Sequence, residues 1–449
     1  MHVRYALLGV LLLLMGCVRP PVAPEPTALA PPPAYPTREA GPWQLGSDRA
    51  TTISLPSAVI ALDLAVHPTD GWPAVAAVVW SGDDDPERVM LSVYQPHVRR
   101  WGSAQQVDLG PSRIGRYQRT VAVGISGGGT IHVLWGMSDP NVTPGDPPAG
   151  LWASSSEDFG ATWATPVRVA AACRAVTALA VGVEGTLVAQ LICSHGAGQT
   201  LAMVTRRADG AWQPPEHLPA PVQSFSEGAL LISGEGQTAR VTGLLFAEQE
   251  GVPFAYLLSR ELTGGTAWQL ERLTLPPPAS GLMSGRMWHV HGLSYTRPQG
   301  PALSFSWSDA ETGHAFLLTS LDGGRHWGTP ELIGTPFTGS GRLLDAIVAY
   351  DPLSARLVAI WDCCDGGLFS TVATTHYASW SVPGSGLWQR VGGDPPMALA
   401  LGSRSVGRSV GAQAANSSLL WLAWIERSRQ VEVRSLDLAQ LAPPVGGAP

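Results

Sequence analysis

Lysine is absent from this 449-residue sequence, and all 28 of its basic residues are arginine. Only 14% of residues are charged, the formal net charge is -7 and no basic run occurs, which excludes the electropositive surface that nucleic-acid binding requires. Coding bias accounts for the missing lysine and lowers the weight that any single arginine can carry. The 5 cysteines do not form a zinc cluster, and neither a Ser nucleophile elbow nor a phosphate loop is present. After the N-terminal segment no run reaches the roughly 18 consecutive apolar residues of a membrane-spanning helix. What is plentiful is Gly (51), Pro (39) and Trp (17), the composition of a turn-rich globular chain. Its length suits two or three ordinary domains, or one large all-β unit.

Residues 1–17 read MHVRYALLGVLLLLMGC, with Arg4 ahead of an apolar run from Ala6 to Met15. That run is too short to span a bilayer and has the form of a secretory signal. Its end, Leu14-Met15-Gly16-Cys17, resembles the bacterial lipobox, which implies lipidation at Cys17. Between Val18 and Pro36 eight residues are Pro, favouring an extended polyproline II stalk. The expected organisation is a lipoprotein signal peptide over 1–17, a Pro-rich tether over 18–41, a folded domain over 42–441 and a tail over 442–449. The domain is expected to be extracytoplasmic and anchored to a membrane through lipid.

Two segments share one pattern, Ser156-Glu157-Asp158-Phe159-Gly160-Ala161-Thr162-Trp163 and Ser320-Leu321-Asp322-Gly323-Gly324-Arg325-His326-Trp327. Asp and Ser side chains bond local amides in a tight turn, Gly takes the unusual dihedral and Trp packs the turn down. Both segments fit Ser-x-Asp-x-Gly-x-x-Trp and resemble the Asp-box, or BNR repeat, of sialidase-like β-propellers. In that family the box is structural, so Ser156, Asp158, Gly160, Trp163, Ser320, Asp322, Gly324 and Trp327 are read as turn builders.

Weaker copies extend the period. Trp43, Trp101, Trp163, Trp212, Trp268, Trp327 and Trp388 precede short strand-like runs at spacings of 49 to 62 residues. A second column marks apolar runs at Trp80, Trp135, Ile192, Phe246, Trp307, Trp361 and Trp424, spaced by 54 to 63 residues. Each period reads strand, turn, strand, loop, strand, turn, strand, which is one propeller blade. The fold expected is all-β, a seven-bladed β-propeller. Its last blade takes an outer strand from around Trp43 to Leu55 and its inner strands from Ala398 to Leu438. A six-bladed ring is the alternative.

The resemblance implies a working face opposite the Asp-boxes, at the starts of the innermost strands. Counting back 18 to 21 residues from the second column reaches Arg116, Arg174, Glu227, Arg286, Arg342 and Arg404. Five guanidiniums at one register suit a carboxylate, sulfate or phosphate, although pairing with the acidic neighbouring loops reads the same column as structural. Sialidases use three Arg, a Tyr nucleophile with a Glu, and an acidic Asp. Here the family's Phe/Tyr-Arg-Ile-Pro motif is missing, and only Tyr117 and Glu227 stand as catalytic candidates if the protein is a hydrolase.

His289 and His291 have the spacing of a metal pair but lack a third ligand, so satisfied polar residues beside a channel are expected. Asp83-Asp84-Asp85 lacks the alternating acidic spacing of a calcium loop. No metal or cofactor is therefore expected. In an oxidising compartment Cys173 and Cys193 flank a hairpin turn and are expected to pair, while adjacent Cys363 and Cys364 form either a vicinal disulfide or two thiols. The function expected is a glycan- or protein-binding module of the cell envelope, a monomer, with an exo-sialidase-like hydrolase and a scaffold without a small ligand as alternatives. Membrane anchoring is predicted to require Cys17. After Cys17→Ser and cell fractionation, the variant should leave the membrane fraction, and equal release of both forms would contradict this.

Overall fold

The computed structural model describes residues 51–80, 87–108, 121–137, 148–195, 198–218, 224–249, 252–264, 266–273, 275, 289–309, 314–334, 342–364, 374–382, 387–390 and 409–441. Its strands begin with β1 (Thr51–Ser54). The first blade follows as β2 (Ala58–Val66), β3 (Pro73–Trp80) and β4 (Arg88–Gln95), with β5 (Arg100–Trp101) and β6 (Gln105–Gln106) both on the outer edge of β4. The second is β7 (Val121–Ile125), β8 (Ile131–Met137), β9 (Gly150–Ser156) and β10 (Val167–Ala170). The third is β11 (Cys173–Val181), β12 (Leu187–His195), β13 (Gly198–Arg206) and β14 (Glu216–His217). The fourth is β15 (Ser224–Ser233), β16 (Arg240–Gln249), β17 (Val252–Glu261) and β18 (Gln269–Leu273). The fifth is β19 (His289–Arg297), β20 (Gly300–Asp309), β21 (His314–Ser320) and β22 (Glu331–Gly334). The sixth is β23 (Arg342–Asp351), β24 (Arg356–Cys364), β25 (Thr374–Val382) and β26 (Leu387–Arg390). The last comprises β27 (Ser409–Gln413), β28 (Leu419–Arg427) and β29 (Gln430–Asp437).

These strands make seven antiparallel sheets, the last in the order β1-β29-β28-β27. The innermost strands touch in the cyclic order β2, β7, β11, β15, β19, β23, β27 and back to β2. The fold is a seven-bladed β-propeller, and the six-bladed alternative is excluded. Ring closure is a pairing of chain ends. Thr51 faces Val433 and Ser54 faces Gln430, and the Leu55 and Val59 amides donate to the Arg429 and Ser428 carbonyls at 2.9 and 2.6 Å. Across the same seam the Trp421 indole N–H donates to the Gly71 carbonyl at 2.9 Å, and Ile53, Leu55, Val75, Trp421 and Val431 share one apolar cluster.

The two aromatic columns have separate jobs. Trp135, Phe246, Trp307, Trp361 and Trp424 lie in the second strands of their blades and are essentially inaccessible to solvent. Second strands are covered on both faces by neighbouring blades, so most read as continuous apolar runs, while β20 alternates Leu303, Phe305 and Trp307 with buried Ser304, Ser306 and Ser308. In the other column Trp43 lies outside the described residues, and the remaining members lie at or near the passage from third to fourth strands. Trp163, Trp268 and Trp327 precede β10, β18 and β22, whereas Trp388 lies inside β26. Inner strands are tied across blades by polar side chains: Asp63 Oδ2 accepts the Val123 amide at 2.8 Å, and Asp345 Oδ2 accepts the Ser409 amide at 2.9 Å. Trp135→Ala is predicted to destabilise the protein by about 3–5 kcal/mol, the usual range for deleting a buried aromatic. Urea unfolding monitored by intrinsic fluorescence measures this, and a loss under about 1 kcal/mol would contradict the role given to that column.

Candidate functional site

The up-and-down order of each blade fixes its two ends. An inner strand starts at the end where second and third strands connect, and the turn between third and fourth strands lies at the opposite end. Arg174 is the second residue of β11 and Arg342 the first of β23, so their backbones stand at the inner-strand-start end. Ser156 and Ser320 end the third strands β9 and β21 at the other. Glu227 is the fourth residue of β15. Cys17, Arg116, Tyr117, Arg286, Arg404 and the Asp83-Asp84-Asp85 run lie outside the described residues. So do the side chains of Glu227, Arg342, His289, Cys363 and Cys364, whose backbones lie in strands.

Irregularities concentrate at these starts. The ladders slip between Val59 and Ala61, between Cys173 and Ala175, between Phe225 and Gly228, and between Leu343 and Ala346. Such β-bulges put two residues opposite one, bend the strand and re-aim side chains. Spacing along the sequence gave no warning of them. The β11 ladder slips twice: Arg174 is extra because Cys173 pairs with Cys193 and Ala175 with Ile192, and Thr177 is extra because Val176 pairs with Leu191 and Ala178 with Gln190. Arg174 is exposed, while Cys173 and Cys193, joined by a disulfide, are 1% and 0% accessible.

The approach to Arg174 is also held from the second blade. A Cβ on Gly136 would lie 1.9 Å from the Arg174 carbonyl oxygen, so only glycine allows the two backbones to meet. The Arg168 guanidinium donates to the Ala149 carbonyl and, at 3.4 Å, to the Ala171 carbonyl. Gly136 and Arg168 were not singled out from the sequence. A glycine directly after the column residue Trp135, inside a strand, was the available signal for close backbone approach.

Inner strands from every blade line a central cavity of about 360 Å³. Its lining mixes apolar side chains such as Val66, Ile125, Val181, Leu231 and Ile347 with polar ones, of which Asp63, Thr177, Asp345 and Gln413 are hydrogen-bonded to backbone groups. His291 Nε2 lies 3.0 Å from the Gly411 carbonyl, and its Nδ1 accepts the Val348 amide at 3.4 Å. One imidazole thereby links three blades, the satisfied polar role expected for it. Among the described residues no group of three or more His, Cys, Asp or Glu is placed to hold a metal ion.

At the other end the two Ser-x-Asp-x-Gly-x-x-Trp turns are built alike. Ser156 Oγ donates to Asp158 Oδ1 at 2.8 Å and accepts the Gly160 amide at 2.9 Å. Ser320 Oγ donates to Asp322 Oδ1 at 2.8 Å and accepts the Gly324 amide at 2.8 Å. Asp158 accepts the amide and hydroxyl of Thr162 at 2.8 and 2.6 Å, and Asp322 accepts the Arg325 and His326 amides, each at 3.0 Å. Gly160 and Gly324 have φ of 80° and 92°, in the region that disfavours a side chain. A Cβ on them would meet Val93 and Thr242 of the preceding blades at 3.1 and 2.8 Å. Each turn therefore sits on its neighbour blade, and Trp327 stacks on Phe305 at 5.3 Å.

No protein-family model matches the sequence, and no curated protein does either. Among solved structures the chain is similar to an ulvan lyase, described as a new family of polysaccharide lyase, PL25, and bound to -[GlcA(1-4)Rha3S]-. The TM-score is 0.52 at 11% identity, covering 88% of this chain and 100% of that one. The polysaccharide lyase Uly1 superposes with a TM-score of 0.46 at 12% identity, covering 85% and 90% of the two chains. A Hadza microbial sialidase gives 0.43 at 13% identity, covering 79% and 74%. At these identities the likeness is one of fold.

The turns also set an acid limit. Burial of Asp322 favours its neutral form, but hydrogen bonds from the His326 amide and imidazole, the Ser320 hydroxyl and the Arg325 amide outweigh this and hold its carboxyl well below the usual carboxylate range. A lowered folded-state pKa contributes stability that is fully present above the unfolded value of about 4 and is lost as pH falls below it. Asp322→Ala is predicted to cost about 1 kcal/mol near pH 7, as loss of a capping carboxylate does. The gap to wild type should narrow below pH ~4. Thermal midpoints across pH 2–7 check this, and a gap constant with pH would contradict it.

Proposed function

We propose that this chain is a lipid-anchored, extracytoplasmic protein of a bacterial cell envelope whose propeller binds an acidic glycan at the end of the ring where the inner strands start. In this reading residues 1–17 are the lipoprotein signal, Cys17 carries the lipid, and the two Ser-x-Asp turns are Asp-boxes that brace the opposite face. The observation that carries the reading is Arg174, exposed on a bulge at the inner-strand-start end. Arg342 starts β23 at the same end, and Arg116, Arg286 and Arg404 share its sequence register.

A guanidinium presents forked donors that match carboxylate and sulfate oxygens, so a ring of them favours uronate or sulfated sugars over neutral ones. The similar ulvan lyase holds a glucuronate- and sulfate-bearing saccharide, so this fold accommodates such ligands. Fold alone does not assign chemistry. A hydrolase needs Tyr117 and Glu227, or paired carboxylates, within reach of the arginines, whereas a binding module does not. A scaffold needs a broad apolar surface. Among the described residues the exposed large apolar side chains are Ile60 and Val98 on the first blade, Val167 on the second, Val183 on the third, Leu321 and Leu332 on the fifth, and Leu353 and Leu387 on the sixth, spread over five blades.

A glycan array beside a fluorogenic sialoside assay tests the reading. Retention of uronate or sulfated glycans that weakens with salt, without sialoside turnover, is the expected result. Changing Arg286 and Arg342 together to Ala should abolish that retention with a thermal midpoint shifted by less than about 2 °C, the shift expected of side chains that serve a ligand and not the fold. A large loss of stability with unchanged retention would contradict the assignment and leave these arginines with a structural role.

A further inference from the structure

Resting on the reading of this face as an acidic-glycan site, we propose that the Cys173–Cys193 disulfide is the positioning device for Arg174, so that affinity for a glycan carboxylate or sulfate depends on this pair being oxidised. Arg174 is bonded directly to Cys173 and is the residue that the bulge extrudes from the β11 ladder. An extruded residue has no ladder partner to fix it. Its backbone is fixed from three other sides. On one side the disulfide locks Cys173 against Cys193 at the end of β12. Across the blade boundary, the Arg174 carbonyl lies over Gly136 where no side chain fits. Before it, Arg168 ties the connection from β10 through the Ala149 and Ala171 carbonyls.

Binding a charged sugar with an arginine costs the freedom of its backbone and side chain, and prior immobilisation of the backbone removes part of that cost. Of the three constraints the disulfide is the one that chemistry can open. A dithiol reductant would deliver two electrons and two protons to the S–S bond, leaving two thiols and an oxidised dithiol. The sulfurs are buried within the cluster formed with Leu134, Leu151 and Leu191, which protects the bond in an oxidising compartment.

The test uses the full chain purified in detergent, with a heparin octasaccharide as the acidic probe and a neutral glucan octasaccharide as control, at a temperature well below every variant's thermal midpoint. Arg174→Ala should weaken heparin binding by about tenfold, the scale of one charge-assisted hydrogen bond. Cys173→Ala with Cys193→Ala should weaken it by a similar factor. Adding Arg174→Ala to that pair should weaken it no further, because a guanidinium that is already unplaced has little left to lose. Hydrogen exchange should accelerate at residues 172–176 and stay unchanged in the fifth and sixth blades. If the cysteine pair is too unstable to study, Gly136→Ala with the disulfide intact should weaken binding through the same displacement. Multiplicative losses, or full affinity without the disulfide alongside a weak Arg174→Ala, would overturn the positioning role and leave the glycan reading standing. A wild-type protein that binds no acidic glycan would overturn both.

Discussion

Ring closure is the constraint on which every other part of this structure depends. A blade is a small sheet with an apolar face on each side, and it is stable only while another blade covers each face. Six boundaries are satisfied simply by the next blade along the chain. The remaining one has to be made by segments far apart in sequence, and β1 meets it by pairing with β29 while Trp421 and Ile53 fill the seam. Once the ring is closed, inner strands from all seven blades are forced side by side, and their starts converge at one end. Everything proposed about binding follows from that convergence.

The two ends of the ring differ in their physical character. The end with the Ser-x-Asp turns is made of short connections in which serine and aspartate saturate local amides and glycine permits contact with the preceding blade. Its two Ser-x-Asp turns are closed by their own hydrogen bonds, as bracing elements should be. At the inner-strand-start end the ladders slip, connections run between blades, and an arginine is extruded beside a disulfide. Irregular backbone at the end of a regular scaffold is where ligand contacts are commonly placed, because the scaffold supplies the rigidity that loops lack.

The fold was legible in the sequence because its signals are repeated. A buried aromatic in five of the second strands and a Trp that recurs at a steady interval along the sequence mark the blades, so an irregular blade such as the third, where Ile192 stands in place of the aromatic, is placed by its neighbours. The offset between the two columns likewise located the closing strand. The inner-strand-start end was harder to read for a physical reason. A bulge adds a residue without changing composition, so counting back from a column cannot say whether Arg174 or Glu227 remains in the ladder or leaves it. The contact of Gly136 with Arg174 joins positions in different blades, and no local pattern announces it beyond a glycine inside an apolar strand.

The most direct measurement is a hydrogen-exchange footprint of the full chain with and without a saturating uronate- or sulfate-bearing oligosaccharide. Binding at the proposed end should protect the inner-strand starts around residues 173–177, 224–228 and 342–346, and leave the turns at 156–163 and 320–327 unchanged. Protection confined to those turns, or to the hairpin tips at 182–186 and 234–238, would place the ligand on the opposite face and contradict the account.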